Sequence, residues 1–313
     1  MLRAALCYPY NVSSAAAYAL VDNYSGSSLL SSFNFFTDRD PTNGHVKYLS
    51  QADAQNQGLV KIDGTSVYLG VDHTNKAPGG RPSVRLQSKK TYNRGLFILD
   101  LAHMPSSTCG TWPSFWTWGD SKLWPINGEI DIIEGVHTNN VNAMSLHTAN
   151  GCTISGSSSL GRVVTKDCYV QATGQTSNAG CGIESSSGTS FGTPFNSAGG
   201  GVYAMEWTSS AIRMWYWPRA SVPADLSSPS PNPANWGNPQ ANFAGGSCDY
   251  NNHFIDHRII VDTTFCGDWA GATWASNPSC TALSNSCTDY VANNPAAFAE
   301  SYWKINSLKV FRQ

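Results

Sequence analysis

The chain has 313 residues, a formal net charge of −2 and only 13% charged residues. There is no basic footprint for a polyanion and no run of about 18 apolar residues, so neither a nucleic-acid partner nor a membrane-spanning helix is expected. What stands out is 11 Trp, 13 Tyr and 12 Phe beside 28 Gly, a composition that suits a neutral, flat-faced ligand such as a sugar and equally a large β-rich core.

In chain order, residues 1–17 hold one Arg, a short apolar stretch broken by Pro9 and a run of small residues. They read as the remnant of a leader or pro-segment, or as an untidy domain start, and residues 18–313 read as one catalytic domain. Short strand-like runs follow, separated by Gly, Ser, Asn and Pro: 66–71, 83–89, 96–101, 129–134, 143–147, 202–208, 212–217, 258–265 and 305–311. Several alternate apolar and polar residues, as half-buried strands do. The best short helix lies near 288–300, and the stretches 151–161, 185–201 and 218–239 read as long surface loops. The expected class is all-β, a sandwich of antiparallel sheets.

None of the nine cysteines forms a C-x-x-C pair, and the seven His show no ligand spacing such as H-E-x-x-H, so no metal site and no cofactor is implied. Disulfides in an oxidising compartment, hence secretion, are the better reading. Cys109, Cys152, Cys168, Cys181, Cys248, Cys266, Cys280 and Cys287 can pair fully, in any of about 105 connectivities, with Cys7 left over. Sequons at Asn11 and Asn23 agree with secretion.

The chain has five Glu, and two of them flank Asp131 in Glu129-Ile-Asp-Ile-Ile-Glu134. On a regular strand Glu129 and Asp131 share a face while Glu134 points the other way. One extra residue at Ile132–Ile133, a β-bulge, returns Glu134 to that face. Three carboxyls in a row cannot all ionise freely, so at least one pKa must rise, and such a pair supplies a nucleophile and a proton donor. A solvated acidic face and a calcium site are the competing readings. The first lacks interleaved Lys or Arg, and for the second regular strands supply ligands poorly compared with loops. Upstream, Trp112, Trp116, Trp118 and Trp124 fall within 13 residues. Two of the four are expected in the core, with Trp116 and Trp124 as sugar platforms, because indole faces stack on pyranose C–H faces. His147 follows an apolar run and is placed to bond the acid cluster.

At these residues the chain closely resembles the fungal secreted laminarinases of glycoside hydrolase family 16. The matching stretches are Gly110-Thr-Trp-Pro, Gly128-Glu-Ile-Asp-Ile-Ile-Glu-Gly135, Met144-Ser-Leu-His-Thr148, Gly199-Gly-Gly-Val-Tyr-Ala-Met-Glu206 and Phe265-Cys-Gly-Asp-Trp-Ala-Gly271, and the similarity runs from about Tyr18 to Phe311. The acid signature with its extra residue belongs to the family's bulged branch. The resemblance implies a β-jelly-roll sandwich of two curved antiparallel sheets, the concave one forming a β-glucan cleft. It implies Glu129 as nucleophile, Glu134 as general acid/base, and Asp131 as the residue tuning the nucleophile's protonation. It also implies Arg85, Trp116, Trp124, His147 and Trp269 along the cleft. The departure is Trp124-Pro-Ile-Asn-Gly128, where relatives usually have Asn directly after Pro; it changes the lip beside the scissile bond. A monomer that hydrolyses β-1,3-glucan inside the chain with retention is expected, with laminarin-type glucan and mixed β-1,3/1,4-glucan both open as substrates. A transglycosylase with the same fold and a catalytically silent glucan-binding lectin are the alternatives. Gly188-Thr-Ser190-Phe-Gly192 fits the nucleophile motif G-x-S-x-G but sits in a Ser/Gly loop with Pro194 following, not between a strand and a helix.

Overall fold

The computed structural model describes residues 17–313, so Cys7, the sequon at Asn11 and nearly all of the leader segment 1–17 lie outside the described residues. Two eight-stranded antiparallel sheets face each other. The first has the order Ala241–Phe243, Ile212–Pro218, Gly201–Trp207, Gly95–His103, Trp303–Arg312, Ser66–Leu69 and Val60–Asp63, with Ala19–Tyr24 also paired to Trp303–Arg312. The second has the order Arg162–Val163, Cys181–Glu184, Ala143–His147, Glu129–Glu134, Thr111–Gly119, His257–Phe265, Arg85–Ser88 and Phe33–Phe35. A short parallel pair joins Val46–Tyr48 to Arg81–Ser83.

Alternation along each strand fills the space between the sheets. Phe97, Leu99 and Leu101 from one sheet meet Phe115, Ile130, Met144, Leu146 and Ile259 from the other in the main core. The strand Gly95–His103 is a nearly continuous apolar run because its other face is covered as well. Leu96 and Ile98 pack outward with Val202, Ala204, Trp215, Leu226 and Trp236. The Pro-rich stretch after Pro218 therefore folds as a cover over the first sheet: it carries three short 3₁₀ turns, and Trp215 Nε1 donates to the carbonyl of Gly237 at 3.1 Å. The helix expected near 288–300 is Cys287–Asn293, ended by Asn294 and the 3₁₀ turn Pro295–Phe298.

Four disulfides join Cys109 to Cys280, Cys152 to Cys248, Cys168 to Cys181 and Cys266 to Cys287. Cys109, Cys266, Cys280 and Cys287 share a separate apolar cluster with Phe265, Trp274, Val291 and Phe298. That cluster holds the segment after His257–Phe265 against one end of the second sheet.

Candidate active site

Glu129–Glu134 runs through the middle of the second sheet, between Thr111–Gly119 and Ala143–His147. Gly128 turns the chain into it with φ +76°; a Cβ there would meet the His253 carbonyl at 2.3 Å and the Phe254 ring at 2.6 Å, so only glycine fits. Glu129 then stands opposite Trp118 and His147, and Asp131 opposite Trp116 and Ser145. Ile132 has no partner on either neighbour; the ladder resumes with Ile133 opposite Phe115 and Glu134 opposite Ser114 and Ala143. This is the extra residue expected from the sequence. It sends Ile132 and Ile133 together into the core, beside Ile130, and leaves Glu134 on the face of Glu129 and Asp131.

Each carboxyl in the row is held by a named donor. Trp124 Nε1 donates to Glu129 Oε2 at 2.8 Å, and Trp112 Nε1 donates to Glu134 Oε1 at 2.8 Å. Ser145 Oγ donates to Asp131 Oδ2 at 2.8 Å, and His147 Nε2 lies 3.1 Å from the same oxygen. Burial, and next the neighbouring Asp131 carboxyl, push Glu129 up to about 8. The same two causes push Glu134 up to about 8, against the bond from Trp112. Burial pushes Asp131 up to about 7, against the bond from Ser145. Near neutral pH the row therefore carries fewer than three negative charges, and protons are available on it. Glu129, Asp131 and His147 each bring one ligand atom within 4.8 Å of the others. Two carboxylates and an imidazole already bonded to one of them fall short of the six to eight oxygens calcium takes.

The expectation that two of the four Trp belong to the core is corrected. Trp112, Trp116 and Trp118 sit at even positions of one strand, Trp116 and Trp118 directly opposite Asp131 and Glu129, so all three share the acids' face. The core side of that strand is taken by residues such as Phe115. Trp124, on the loop before Gly128, is 40% exposed, whereas Trp207 and Trp215 are buried at 2% and 4%. The loop also exposes Leu123 and Ile126. Trp269 is half-buried and meets Trp112 edge-on, ring centroids 5.8 Å apart.

Arg85 lies on the same sheet but is buried, with its guanidinium over the rings of Phe36 and Trp116 at 4.7 and 5.1 Å. It pairs with Asp262 at 3.5 Å, and Asp262 accepts from Trp116 Nε1 at 3.3 Å. Arg85 thus backs the Trp116 indole. Sequence reasoning missed Trp112, Ser145 and Asp262 as partners. The period-2 spacing of Trp112, Trp116 and Trp118 was the one signal that could have placed Trp112 beside the acids. Ser190 is buried; its Oγ accepts from the backbone N–H of Asn142 at 3.0 Å and donates to the Ser187 carbonyl at 2.7 Å, a structural role that leaves no free nucleophile.

The profile of XgeA-like catalytic domains of glycoside hydrolase family 16 matches residues 33–311. The chain belongs to glycoside hydrolase family 16. An endo-1,3(4)-β-glucanase of Arthroderma benhamiae is 47% identical over 302 residues, covering 96% of this family 16 chain. The chain spans 66% of that relative's length and less than half the length of several others. Laminarinase 16A from Phanerochaete chrysosporium, solved with 6-O-glucosyl-laminaritriose in both donor and acceptor sites, superposes with a TM-score of 0.88 at 43% identity, covering 95% of this chain and 100% of that one. An elongating family 16 β-1,3-glucosyltransferase superposes with a TM-score of 0.87 at 44% identity, again covering 95% and 100%. The sandwich is the β-jelly-roll of these neighbours.

Proposed function

We propose that residues 18–313 form the catalytic domain of a secreted, monomeric, endo-acting β-1,3-glucan hydrolase that retains anomeric configuration. The observation that carries this reading is the row Glu129, Asp131 and Glu134 on one strand face, each outer acid gripped by an indole N–H. Glu129 attacks the anomeric carbon while Glu134 passes its proton to the departing oxygen. Water, deprotonated by Glu134, then releases the glycosyl-enzyme. Retention by this route needs the two carboxyls about 5–5.5 Å apart, which side chains converging from one strand face can reach. Asp131, raised by burial and bonded by Ser145 and His147, tunes the proton on Glu129. Trp116, Trp124, His147 and Trp269 line the glucan cleft, with Arg85 stacked behind Trp116. Four disulfides support an oxidising, extracellular destination, and no helix among the described residues is long and apolar enough to cross a membrane.

The test is product profiling on laminarin, lichenan and carboxymethyl-cellulose side by side. Internal cutting of laminarin with carboxymethyl-cellulose untouched is the expected result. Glu129→Ser should abolish reducing-sugar release while the protein still binds laminari-oligosaccharides by calorimetry; substantial residual hydrolysis would remove Glu129 from the mechanism. Absence of release by the unaltered chain, with binding intact, would make it a glucan-binding lectin.

A second reading is favoured by the 44% identity to an elongating β-1,3-glucosyltransferase. The same glycosyl-enzyme is intercepted by a sugar hydroxyl instead of water, and the exposed Leu123, Trp124 and Ile126 beside Glu129 give an acceptor an apolar lip. Products longer than a supplied laminari-oligosaccharide would assign this chain to transfer.

A further inference from the structure

We infer that Asn142 is a positioning residue that fastens the bulge and so aims Glu134. The inference deepens the reading above and rests on Glu134 being the acid/base. A bulge leaves backbone groups outside the ladder, and buried ones must find other partners. Here both flanks of the bulge are taken by one side chain. Asn142 Nδ2 donates to the Ile132 carbonyl at 2.7 Å, and the Glu134 N–H donates to Asn142 Oδ1 at 2.9 Å. An amide is the side chain that can donate and accept at adjacent points, so it reads Ile132 and Glu134 together.

Asn142 is itself immobilised. It is fully buried just before the strand Ala143–His147; its N–H is bonded to Ser190 Oγ at 3.0 Å, and its carbonyl accepts from the Ser185 N–H at 2.9 Å. Tyr203 of the opposite sheet donates its hydroxyl to the Ser190 carbonyl. The bulge is thus braced from the other sheet through Tyr203, Ser190 and Asn142. Asn142 touches no reacting atom; it sets where the Glu134 Cα–Cβ bond points.

Two substrates separate positioning from folding. With laminarin the departing oxygen needs the proton of Glu134. With a dinitrophenyl β-laminaribioside the bond from Glu129 to the anomeric carbon forms as the bond from that carbon to the phenolic oxygen breaks, and the phenolate leaves with its electron pair unprotonated. Azide can then replace water in the second step without a base, forming a glycosyl azide and freeing the Glu129 carboxylate.

General acid catalysis contributes about 10²–10⁴-fold. Asn142→Ala should therefore lower kcat on laminarin by about 10- to 100-fold with KM nearly unchanged, a misaimed rather than missing acid. The initial burst of dinitrophenolate should stay close to that of the unaltered protein, and azide should restore its turnover. Asn142→Asp keeps the acceptor for the Glu134 N–H but not the donor. It should show the same pattern with a smaller loss, and it decides the matter if the alanine variant does not fold. An equal loss in laminarin turnover and in the dinitrophenolate burst, or no loss on laminarin, would overturn the inference. Glu134→Ala run in parallel tells the two levels apart: if it too fails to discriminate between the substrates, the acid/base reading of Glu134 fails; if only the Asn142 variants fail to, the positioning role alone is lost.

Discussion

At the scale of single residues, Trp112 uses its N–H on Glu134 and its ring on Trp269. Trp112→Phe would keep a ring for Trp269 and remove the donor. That donor holds Glu134 down against burial, so its loss raises the pKa further. The protonated acid then survives to higher pH, and the basic limb of kcat/KM on laminarin should move upward; an unmoved limb would mean that Trp112 does not act on Glu134. Trp124 gives a contrast between cleft and core. Stacking contributes about 0.5–1.5 kcal/mol for aromatic pairs, a scale borrowed here for sugar on indole. Trp124→Ala should weaken laminari-oligosaccharide binding several-fold with little change in melting temperature. Trp207→Ala, deep between the sheets, should instead lose about 3–5 kcal/mol of stability. Calorimetry and thermal melting on both variants check the pair. Residue identity was legible where chemistry is concentrated: Glu129, Asp131, Glu134 and His147 stand out in the sequence and meet in space. Ser145 and Asp262 were not legible, because a single Ser or Asp on a strand carries no local pattern; only the register brings them to Asp131 and Trp116.

At the scale of the element, the Glu129–Glu134 strand makes stability depend on pH. Free Glu titrates near 4.3, whereas Glu129 and Glu134 are both pushed up to about 8. Between those values the folded state binds more protons than the unfolded one, so stability is full below about pH 4 and is lost as pH rises through about 8. Glu134→Gln, fixed neutral, should therefore melt higher than the unaltered protein at pH 8 and nearly equal to it at pH 4.5, read by scanning calorimetry. Alternation made most strands legible, and the bulge was legible because three acids with one irregular step admit few arrangements. The Trp-rich run Thr111–Gly119 was read for its indoles, and the sharing of its two faces was misjudged. An indole looks the same in sequence whether its strand neighbour across the sheet is an acid or a core isoleucine.

At the scale of the whole molecule, two of the three apolar clusters divide the labour. The main core joins the sheets, while the cluster around Cys109–Cys280 and Cys266–Cys287 anchors the Gly267–Gly271 turn that carries Trp269. The cysteine count foretold full pairing, but the partners required three-dimensional neighbours. Replacing Cys266 and Cys287 by Ser opens a loop of 21 residues' separation. In the chain-entropy treatment that lowers stability by about 3 kcal/mol. Below the new melting point, turnover of a dinitrophenyl β-laminaribioside should persist while affinity for long laminarin falls, since the acids stay on the sheet and only the Trp269 end loosens. Parallel loss of both activities would place the acids under the control of that cluster.

The bulge also bears on descent. Without one isoleucine the segment would read Glu-Ile-Asp-Ile-Glu, and strict alternation alone would set all three acids on one face. Chains with the shorter spelling need no amide to hold a displaced carbonyl and N–H. The additional isoleucine and Asn142 should therefore travel together through the family's history, gained or dropped as a unit, while the position before the following strand drifts freely wherever the spelling is short.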